Sequence, residues 1–353
     1  MRLLDGIRGL FRRGPRVAET RGPRRGRITH VIVLDGTMSS LREGYESNAG
    51  LTFKLLREAG RGEVHLWYAA GIQWSDWSRT WDVLTGRGIE TQIARAYGVL
   101  AGRYRPGDRI VLIGFSRGAF AARSLAGMIG AVGLLRPEAA TVRHVRQAWR
   151  HYRAGGESAA AGAFRQHLCH PEVEIEALAL WDSVKSLGFG NADAHSFHRL
   201  GVAPHIRRAW HALALDETRE AYHPVLIAED ESYPGELEQV WFRGSHGDVG
   251  GQLDGYAPAR PLANIPLVWM LEKLEGQGLP LPEGWRERFP TDPAAPALGQ
   301  NRGWGKALLH RRRRVALTGP SEHLHPTATL PPPASGWWAS RKRAAAQGLQ
   351  PGE

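Results

Sequence analysis

Hydrophobic runs with the spacing of strands alternate with runs that have the spacing of helices along most of this chain. Short apolar runs that end in polar loops predict buried strands, and they lie at 30–40, 63–71, 109–114, 174–184 and 239–244. Apolar residues every three to four positions predict helices, and they occur at 48–59, 89–104, 117–132, 204–215 and 262–276, with two more helices within 139–168. Residues 73–88 are aromatic and polar without a clean period, so a loop is expected there.

This alternation favours a doubly wound, mostly parallel α/β sheet with helices on both faces. The polar residues that could carry chemistry follow directly after predicted strands, at the edge where such sheets bind ligands. We therefore expect a single catalytic domain over residues 29–301. It would lie between a basic, partly disordered leader, 1–28, and a basic, proline-containing, poorly ordered extension, 302–353.

The positive charge of the chain is confined to its two ends. The 353 residues carry a formal net charge of +11. Residues 1–30 have nine arginines against two acidic residues, residues 302–353 have nine Lys or Arg against two, and the part between them is slightly acidic. The simplest interpretation is a pair of solvated ends, and the alternative is contact with the phosphates of anionic lipid. Specific nucleic-acid recognition is not expected, because neither end contains a base-reading motif.

The opening residues, 1–14, have the spacing of an amphipathic helix with a basic face, which could lie on a membrane surface. They lack the apolar core and the cleavage site of a secretory signal, and no run reaches the ~18 apolar residues of a spanning helix. Cys169 is the only cysteine, so neither an intramolecular disulfide nor a cysteine-based metal site is expected. These features favour a cytoplasmic protein, with peripheral membrane contact as an option.

Residues 109–123, RIVLIGFSRGAFAAR, contain a G-x-S-x-G pattern between a predicted strand and a predicted helix. A nucleophilic serine on such a turn needs small neighbours, which Gly114 and Gly118 supply, and a helix directly behind it. The N-terminus of that helix directs N–H groups and a positive dipole end toward a developing oxyanion. We therefore predict that Ser116 is a nucleophile and that the domain is of α/β-hydrolase type.

A serine nucleophile requires a histidine base and a carboxylate, which follow it in this chain order in the hydrolase fold. Of the 15 histidines, His246 is the best candidate because it follows a strand in the glycine-rich segment WFRGSHGDVGG. Asp182 ends the apolar strand of LALWDSVKSLG, where an aspartate is costly unless it is paired. Its competitors are Asp216, at a predicted helix end, and Asp248, which could act behind His246.

The remaining histidines and aspartates are weaker candidates. His211 is placed in the middle of the predicted helix 204–215, and three later candidates lack a preceding strand: His223, His323 and His325. Asp35 in VLDGT is not an aspartyl-phosphate nucleophile, because the position two before it is Val33.

The loop that begins at Asp35 follows an early strand, where a hydrolase places one oxyanion donor. This predicts backbone donors at Gly36 or Thr37 and at Arg117, with Asp35 shaping the site. Asp35, His246 and Asp248 could meet around a metal, but no metal motif, Walker motif or dinucleotide motif is present. We expect a reaction without metal or cofactor.

Five segments in this order resemble the catalytic domain of the type VI secretion phospholipase effector family of type-1-like proteins. They are IVLDGT, GDRIVLIGFSRGAFAARSLAGMI, ALWDSVKSLG, HALALDETREAYHPVL and FRGSHGDVGG, and they span about residues 29–278. The resemblance implies a serine hydrolase of phospholipid acyl esters, with Ser116, Asp182 and His246 at the matching positions. Lys185 replaces a glycine of the family pattern, and other changes also fall in loops, so they bear on substrate preference.

We therefore expect a serine esterase or lipase that acts on phospholipids or other lipids through an acyl-enzyme. One alternative is a non-catalytic hydrolase-fold module that binds anionic lipid or a protein partner. Another is a hydrolase of a thioester or a carbohydrate ester with the same residues. The resemblance makes export by a type VI system an option, although a housekeeping hydrolase is equally compatible, since no further domain for membrane insertion is expected in this chain.

Overall fold

One predominantly parallel sheet organises the part of the chain that the computed structural model describes, which is residues 17–20, 26–60, 62–71, 87–185, 198–228, 232–300 and 310–330. In chain order the strands are β1 (Val17–Thr20), β2 (Thr29–Leu34), β3 (Val64–Ala69), β4 (Arg109–Phe115), β5 (Ala177–Trp181), β6 (Arg208–Ala214), β7 (Glu236–Phe242) and β8 (Glu322–Leu324). Their order across the sheet is β1-β3-β2-β4-β5-β6-β7-β8. Only β1 runs antiparallel to its neighbour among these strands. The predicted α/β-hydrolase type of sheet is confirmed.

Helices cover both faces of the sheet. They are α1 (Asn48–Ala59), α2 (Arg87–Ala101), α3 (Arg117–Val132), α4 (Val142–Arg153), α5 (Ala159–Leu168), α6 (His246–Gly250) and α7 (Arg260–Gly276). Strand β2 alternates between the two layers: Ile32 packs in the core that holds α2 to α5, and Val33 in the core that holds α1 and α7. A central strand that is apolar on both faces is typical of a parallel sheet covered on both sides.

The order of the strands reverses beside β2. From β2 the chain moves outward to β3 and then returns to β4 on the opposite side of β2. Connections therefore leave the carboxyl ends of β2 and β4 in opposite directions, and a crevice opens between them, which is where open α/β sheets bind ligands. The loop after β2 begins at Asp35, and Ser116 follows β4 directly.

The helix predicted at 204–215 is wrong, because residues 208–214 form β6, an interior strand of the sheet. Strand β6 pairs with β5 on one side and with β7 on the other, and six of its seven residues are buried. A strand that is apolar on both faces has no two-residue alternation, so the alanines and leucines of this segment carry a helix-like pattern. His211 lies on this strand with its side chain fully buried.

The two ends differ from expectation where they are described. Residues 17–20 of the predicted leader form the edge strand β1. Residues 310–330 lie against the domain and add β8 beside β7, so the boundary expected at residue 301 does not separate them from the sheet. The amphipathic segment 1–14 and most of the predicted loop 73–88 lie outside the described residues. Within the described residues, none of the helices has the length and apolarity needed to cross a membrane.

Candidate active site

Ser116 sits on a sharp turn between β4 and α3. Its backbone has a φ of 60° and a ψ of −124°, an unfavourable conformation for a residue with a Cβ, as is typical of a strained nucleophile turn. Its N–H donates to the Trp181 carbonyl at 2.9 Å, which fixes the turn to the end of β5. The helix begins at the next residue, so the N–H groups of its first turn have no partner within the helix.

The glycines on either side of Ser116 are required by close backbone approach. A Cβ on Gly114 would lie 2.7 Å from the backbone nitrogen of Ala119, and one on Gly118 would lie 2.0 Å from the carbonyl oxygen of Leu34. Strand β2 therefore packs directly against the first turn of α3. The small residues predicted from the sequence have a steric cause, which is the contact between this turn and the two central strands.

We expect Gly118→Ala to destabilise the protein strongly, because the new methyl group meets a strand carbonyl that cannot move without disturbing the sheet. The expected loss is about 3 kcal/mol or more, at the upper end for overpacking. Gly162→Ala is the matched control, since Gly162 lies on α5 with open space around a new Cβ. That change should stabilise the helix by about 0.5–1 kcal/mol. Urea denaturation measures both, and equal effects would contradict the packing described here.

The structure brings Ser116, His246 and Asp182 together in one chain of hydrogen bonds. The His246 Nε2 atom lies 2.8 Å from the Ser116 Oγ atom, and His246 Nδ1 lies 2.6 Å from Asp182 Oδ2. The residues are separated by 130 and 64 positions in sequence, so only the fold can assemble them. With a proton on Nδ1, this arrangement can draw the serine proton onto Nε2.

His246 is held by its position on the chain and by two aromatic rings that stack on its imidazole. The sequence predicted a glycine-rich loop, whereas His246 is the first residue of the short helix α6. Ser245 and Asp248 close a reciprocal capping box at the start of α6, which fixes the backbone at His246. Phe115 stacks on the imidazole at a centroid distance of 4.9 Å and Tyr222 at 4.6 Å. The ring therefore has little freedom except within the plane between Ser116 and Asp182.

Asp182 is fully buried after β5 and is held by more than the histidine. Its Oδ1 atom accepts from the Ala214 N–H at 3.0 Å. The Arg314 guanidinium contacts both oxygens, with Nη1 2.5 Å from Oδ1 and Nη2 2.8 Å from Oδ2. Burial acts to raise the pKa of Asp182, but the charge of Arg314 and the hydrogen bonds of Arg314 and His246 outweigh it and hold the pKa well below its usual range. The carboxylate is therefore ionised at neutral pH.

A second buried carboxylate, Glu217, supports the backbone of His246. Its Oε2 atom accepts from the His246 N–H at 3.0 Å, and Arg219 binds both of its oxygens, at 2.8 and 2.6 Å. The guanidinium of Arg219 also lies over the ring of Tyr222, 4.3 Å from its centroid. Sequence reasoning missed these three residues. The sequence does contain a signal for them, the charged segment DETREAY that follows the apolar run at 208–214. This segment indicates site residues only when the run is assigned to a strand, because the segment then lies at the carboxyl edge of the sheet.

The loop after β2 is organised by Asp35. This buried carboxylate accepts from the Ser47 hydroxyl at 2.6 Å, the Tyr68 hydroxyl at 2.7 Å and the Gly36 N–H at 2.7 Å. Burial raises the pKa of Asp35, and these hydrogen bonds act against that rise. The Gly36 N–H is thus engaged inside the loop. Among the described residues, nothing accepts a hydrogen bond from the N–H of Thr37 or of Arg117.

The alternative residues named from the sequence have other partners. Asp216 accepts from the Gly244 N–H at 2.7 Å, and Asp248 accepts from Ser245 and from the Leu298 N–H at 2.6 Å. Both aspartates fix loops and neither contacts the imidazole of His246. His211 accepts from the Ser183 N–H at 3.0 Å and thereby braces the residue that follows Asp182.

The sequence of this chain matches the family model for the catalytic domain of Tle1-like phospholipase effectors of the type VI secretion system over residues 29–273. An uncharacterized protein of Saccharomyces cerevisiae is 29% identical in an alignment of 216 residues that covers 54% of this chain and 31% of the yeast protein. The present chain thus spans about a third of that relative.

Solved structures with a similar arrangement are more distant. An uncharacterized protein from Pseudomonas aeruginosa is 16% identical, with a TM-score of 0.48 over 75% of this chain and 49% of that one. A Tle1 effector bound to the VgrG spike of the type 6 secretion system is 19% identical, with a TM-score of 0.36 over 65% and 52% of the two chains. The carboxylesterase Cest-2923 from Lactobacillus plantarum is 14% identical, with a TM-score of 0.37 over 75% and 90%. On the family match, which covers more than half of its residues, this chain belongs to the family of Tle1-like phospholipase effector catalytic domains.

Proposed function

We propose that this chain is a serine esterase that hydrolyses carboxylic esters of lipids, with phospholipids as the favoured substrates. The observation that carries the proposal is the chain of hydrogen bonds from Ser116 through His246 to Asp182 on a strained strand-to-helix turn. Membership of a phospholipase effector family supports a lipid as the source of the ester. Ser116 is the nucleophile, His246 the general base and acid, and Asp182 the group that orients the imidazole.

The reaction proceeds in two halves. The Ser116 Oγ atom attacks the ester carbonyl carbon while its proton passes to His246 Nε2, and the imidazolium is stabilised by Asp182. The imidazolium then gives the proton to the leaving alcohol as the ester C–O bond breaks, which leaves an acyl group on Ser116. A water molecule then loses a proton to His246 and attacks the acyl carbon; the bond to Ser116 Oγ breaks, His246 returns the proton to that oxygen, and the fatty acid leaves.

Backbone donors stabilise the negative oxygen that forms in each half. We propose the N–H groups of Thr37 and Arg117, because the Gly36 N–H already donates to Asp35. The carboxylate of Asp35 would then act through the shape of the loop, by holding Gly36, Ser47 and Tyr68 in one arrangement. Gly71 approaches the same loop so closely that a Cβ would lie 2.6 Å from the Thr37 nitrogen. Donors fixed in this way need no reorganisation during the reaction.

The proposal is tested by the products released from vesicles. The full chain would be incubated with vesicles of phosphatidylglycerol and phosphatidylcholine, and fatty acid and water-soluble phosphate would be measured separately. Ester hydrolysis releases fatty acid and leaves the phosphate on the lysolipid. Release of neither product, together with binding to the vesicles that falls with salt, would favour the alternative of a non-catalytic lipid-binding module. Turnover of thioesters or acetylated sugars alone would favour another ester class.

The base role of His246 predicts how activity depends on pH. Burial lowers the pKa of His246, and the hydrogen bond and charge of Asp182 oppose that effect without reversing it. Since the neutral imidazole is the active form, activity should be lost as the pH falls through this lowered pKa. We expect the acidic limb of kcat/KM to lie below the ordinary histidine value of about 6.5. Rates on a short soluble ester give the profile, and a limb clearly above that value would contradict the burial argument.

Arg117 favours an anionic substrate. Arg117 follows Ser116 directly and is half-buried, burial lowers the pKa of its guanidinium, and within the described part of the chain its side chain has no hydrogen-bond or ion-pair partner. A partly desolvated cation without a counter-charge is costly, and a phosphate on the ligand would offset that cost. We therefore propose that the Arg117 side chain binds the phosphate of the lipid, while its backbone N–H binds the oxyanion.

Arg117→Gln should reduce kcat/KM for phosphatidylglycerol by about 10- to 100-fold, the usual loss for a hydrogen bond to a charged group. A short neutral ester should be hydrolysed at nearly the wild-type rate, because it has no phosphate to bind and the backbone N–H is retained. Arg117→Lys should be intermediate, since it keeps the charge and loses the planar fork. Equal losses on both substrates would show that the side chain supports the turn instead.

Family membership also supports export by a type VI secretion system as a proposal for localisation, with a cytoplasmic hydrolase as the alternative. Contact of the basic ends with anionic membrane remains a proposal of the same kind. Vesicle binding at increasing salt concentration, compared for the full chain and a chain lacking residues 1–16, would test the second of these.

A further inference from the structure

Arg314 belongs to a run of four arginines, 311–314, in the part of the chain that the sequence assigned to a solvated extension. The four side chains do not share one environment. Arg312 has a 65% exposed side chain paired with Glu220, whereas the side chain of Arg314 is 1% exposed. The guanidinium of Arg314 donates to Asp182 and also to the carbonyls of Ala214 and Tyr222. It therefore joins the carboxylate to the end of β6 and to the segment that stacks on His246.

The backbone around Arg314 is tied to the domain on both sides. The Glu220 N–H donates to the His310 carbonyl at 3.0 Å, and the Arg312 N–H to the Thr218 carbonyl at 2.6 Å. After Arg314, the short strand β8 pairs with β7. These contacts fix the register in which Arg314 turns inward and its neighbours face outward. Arg314 lies beyond the residues matched by the family model, 29–273.

A cation bound to both oxygens of Asp182 changes what the carboxylate does for His246. An isolated carboxylate next to an imidazole raises its basicity, because the negative charge stabilises the imidazolium. Here the charge of Arg314 offsets that of Asp182 at close range. Arg314 thus acts in two directions: it keeps Asp182 ionised in the core, and it lowers the pKa of His246.

Other charged groups face the same pair and have to be considered with Arg314. The groups around His246 and Asp182 are Glu217, Arg219, Tyr222, His211 and Arg314. Glu217 forms a buried ion pair with Arg219, and its charge still acts to raise the pKa of His246, in the direction opposite to Arg314. Burial and the nearby Arg123 lower the pKa of His211 to about 3, so His211 is neutral. Arg314 is therefore the group whose removal changes the charge beside Asp182.

We propose that Arg314 is a positioning residue for the proposed reaction: it holds the carboxylate of Asp182 in the plane of His246 and keeps the imidazole in its neutral, basic form under mildly acidic conditions. This inference rests on the proposed function of Ser116, His246 and Asp182. Arg314 does not touch the reacting atoms, and it acts only through Asp182. Its effect is therefore on the pH range and on the rate, and not on the choice of substrate.

The test compares the pH dependence of labelling by a fluorophosphonate probe in the full-length wild-type chain and in three variants. Arg314→Gln removes the charge and should move the acidic limb upward by on the order of one pH unit. Arg314→Lys keeps the charge and loses the fork, so the limb should stay in place while the rate falls about 10- to 100-fold through misplacement of the carboxylate. Arg312→Gln changes an exposed arginine of the same segment, so its acidic limb should lie at the wild-type pH and its labelling rate should equal that of the wild type.

The outcomes separate this inference from the proposed function. A wild-type chain that neither labels nor hydrolyses esters would overturn both. A different result would overturn only the role of Arg314. In that case the wild type is labelled, and Arg314→Gln is labelled more slowly at every pH while its acidic limb stays at the wild-type pH. An arginine that only supports the structure would give this result, and the proposed reaction would still stand. If Arg314→Gln fails to fold, as judged by circular dichroism, the neutral variant Arg314→Met, which keeps an apolar stem of similar length, takes its place: an acidic limb that moves upward supports the inference, and an unchanged limb with a reduced rate contradicts it.

Discussion

Replacing Ser116 by alanine is expected to abolish ester hydrolysis, with a fall in kcat of about 10⁴- to 10⁶-fold. The reason is that no other nucleophile lies within hydrogen-bond distance of His246 Nε2 among the described residues. Alanine keeps the Cβ that the strained turn already accommodates, so the free energy of unfolding should change by only about 1 kcal/mol. Fatty-acid release measures the first effect and thermal denaturation the second.

Ser124→Ala is the matched control for this experiment. Ser124 lies eight positions further along, on α3, and its fully buried hydroxyl is 2.5 Å from the Nδ1 atom of His198. It is therefore also a buried serine next to a histidine, but it does not lie on the strand-to-helix turn that carries Ser116. Its variant should retain activity. Comparable activity in the Ser116 and Ser124 variants would show that Ser116 is not the nucleophile.

Asp182→Asn is expected to impair both activity and stability. An amide can no longer hold the imidazole in the tautomer that leaves Nε2 free to accept a proton, and the expected loss of kcat is about 10⁴-fold. The variant also leaves the side chain of Arg314, which is 1% exposed, without its counter-charge. Breaking one partner of a buried ion pair costs about 3–5 kcal/mol, so urea denaturation should show a clear loss of stability.

A double substitution distinguishes these two effects. Asp182→Asn combined with Arg314→Gln removes both charges, so part of the lost stability should return, since no unpaired ion remains in the core. Activity should stay at the level of the single Asp182 variant, because the orienting carboxylate is still absent. Stability losses that simply add would mean that the two side chains do not interact as the distances indicate.

The candidate residues of the site could be predicted from the sequence where neighbouring residues along the chain indicate them. Ser116 was predicted from small residues at two fixed positions between a strand and a helix, and those positions are set by backbone contacts at distances that admit no Cβ. Asp182 and His246 each follow an apolar strand in the expected chain order. Parallel strands bring their carboxyl ends to one edge, so three such residues are expected to approach one another even though their sequence separation is large.

The residues that were missed depend on long-range register. Nothing in a run of four arginines indicates which side chain turns inward, because that choice is made by the pairing of β8 with β7 and by contacts of the preceding backbone with 218–220. Phe115 stacks on His246 from the end of β4 and Tyr222 from the loop after β6, so the position of Tyr222 depends on that loop. That loop could not be predicted while 204–215 was assigned to a helix.

Which of the Gly36 and Thr37 N–H groups is already hydrogen-bonded could not be predicted from the sequence. The sequence places both in the loop after β2, but only the position of Asp35 shows that the Gly36 N–H is already engaged. The Asp35 carboxylate that accepts from the Gly36 N–H is held in place by the hydroxyl groups of Ser47 and Tyr68, which come from two other segments. A hydrogen-bond network of this kind has no periodic pattern in the sequence.

The most direct test of the proposed chemistry is the site of covalent labelling by a fluorophosphonate, which reacts with an activated serine as an ester substrate would. The full chain would be labelled at neutral pH and digested, and the modified peptide identified by mass spectrometry. We predict a single adduct on Ser116, which is lost in Ser116→Ala and strongly slowed in His246→Gln. An adduct on another serine, or ester hydrolysis that continues in a chain whose Ser116 is replaced, would contradict the proposal that Ser116 is the nucleophile.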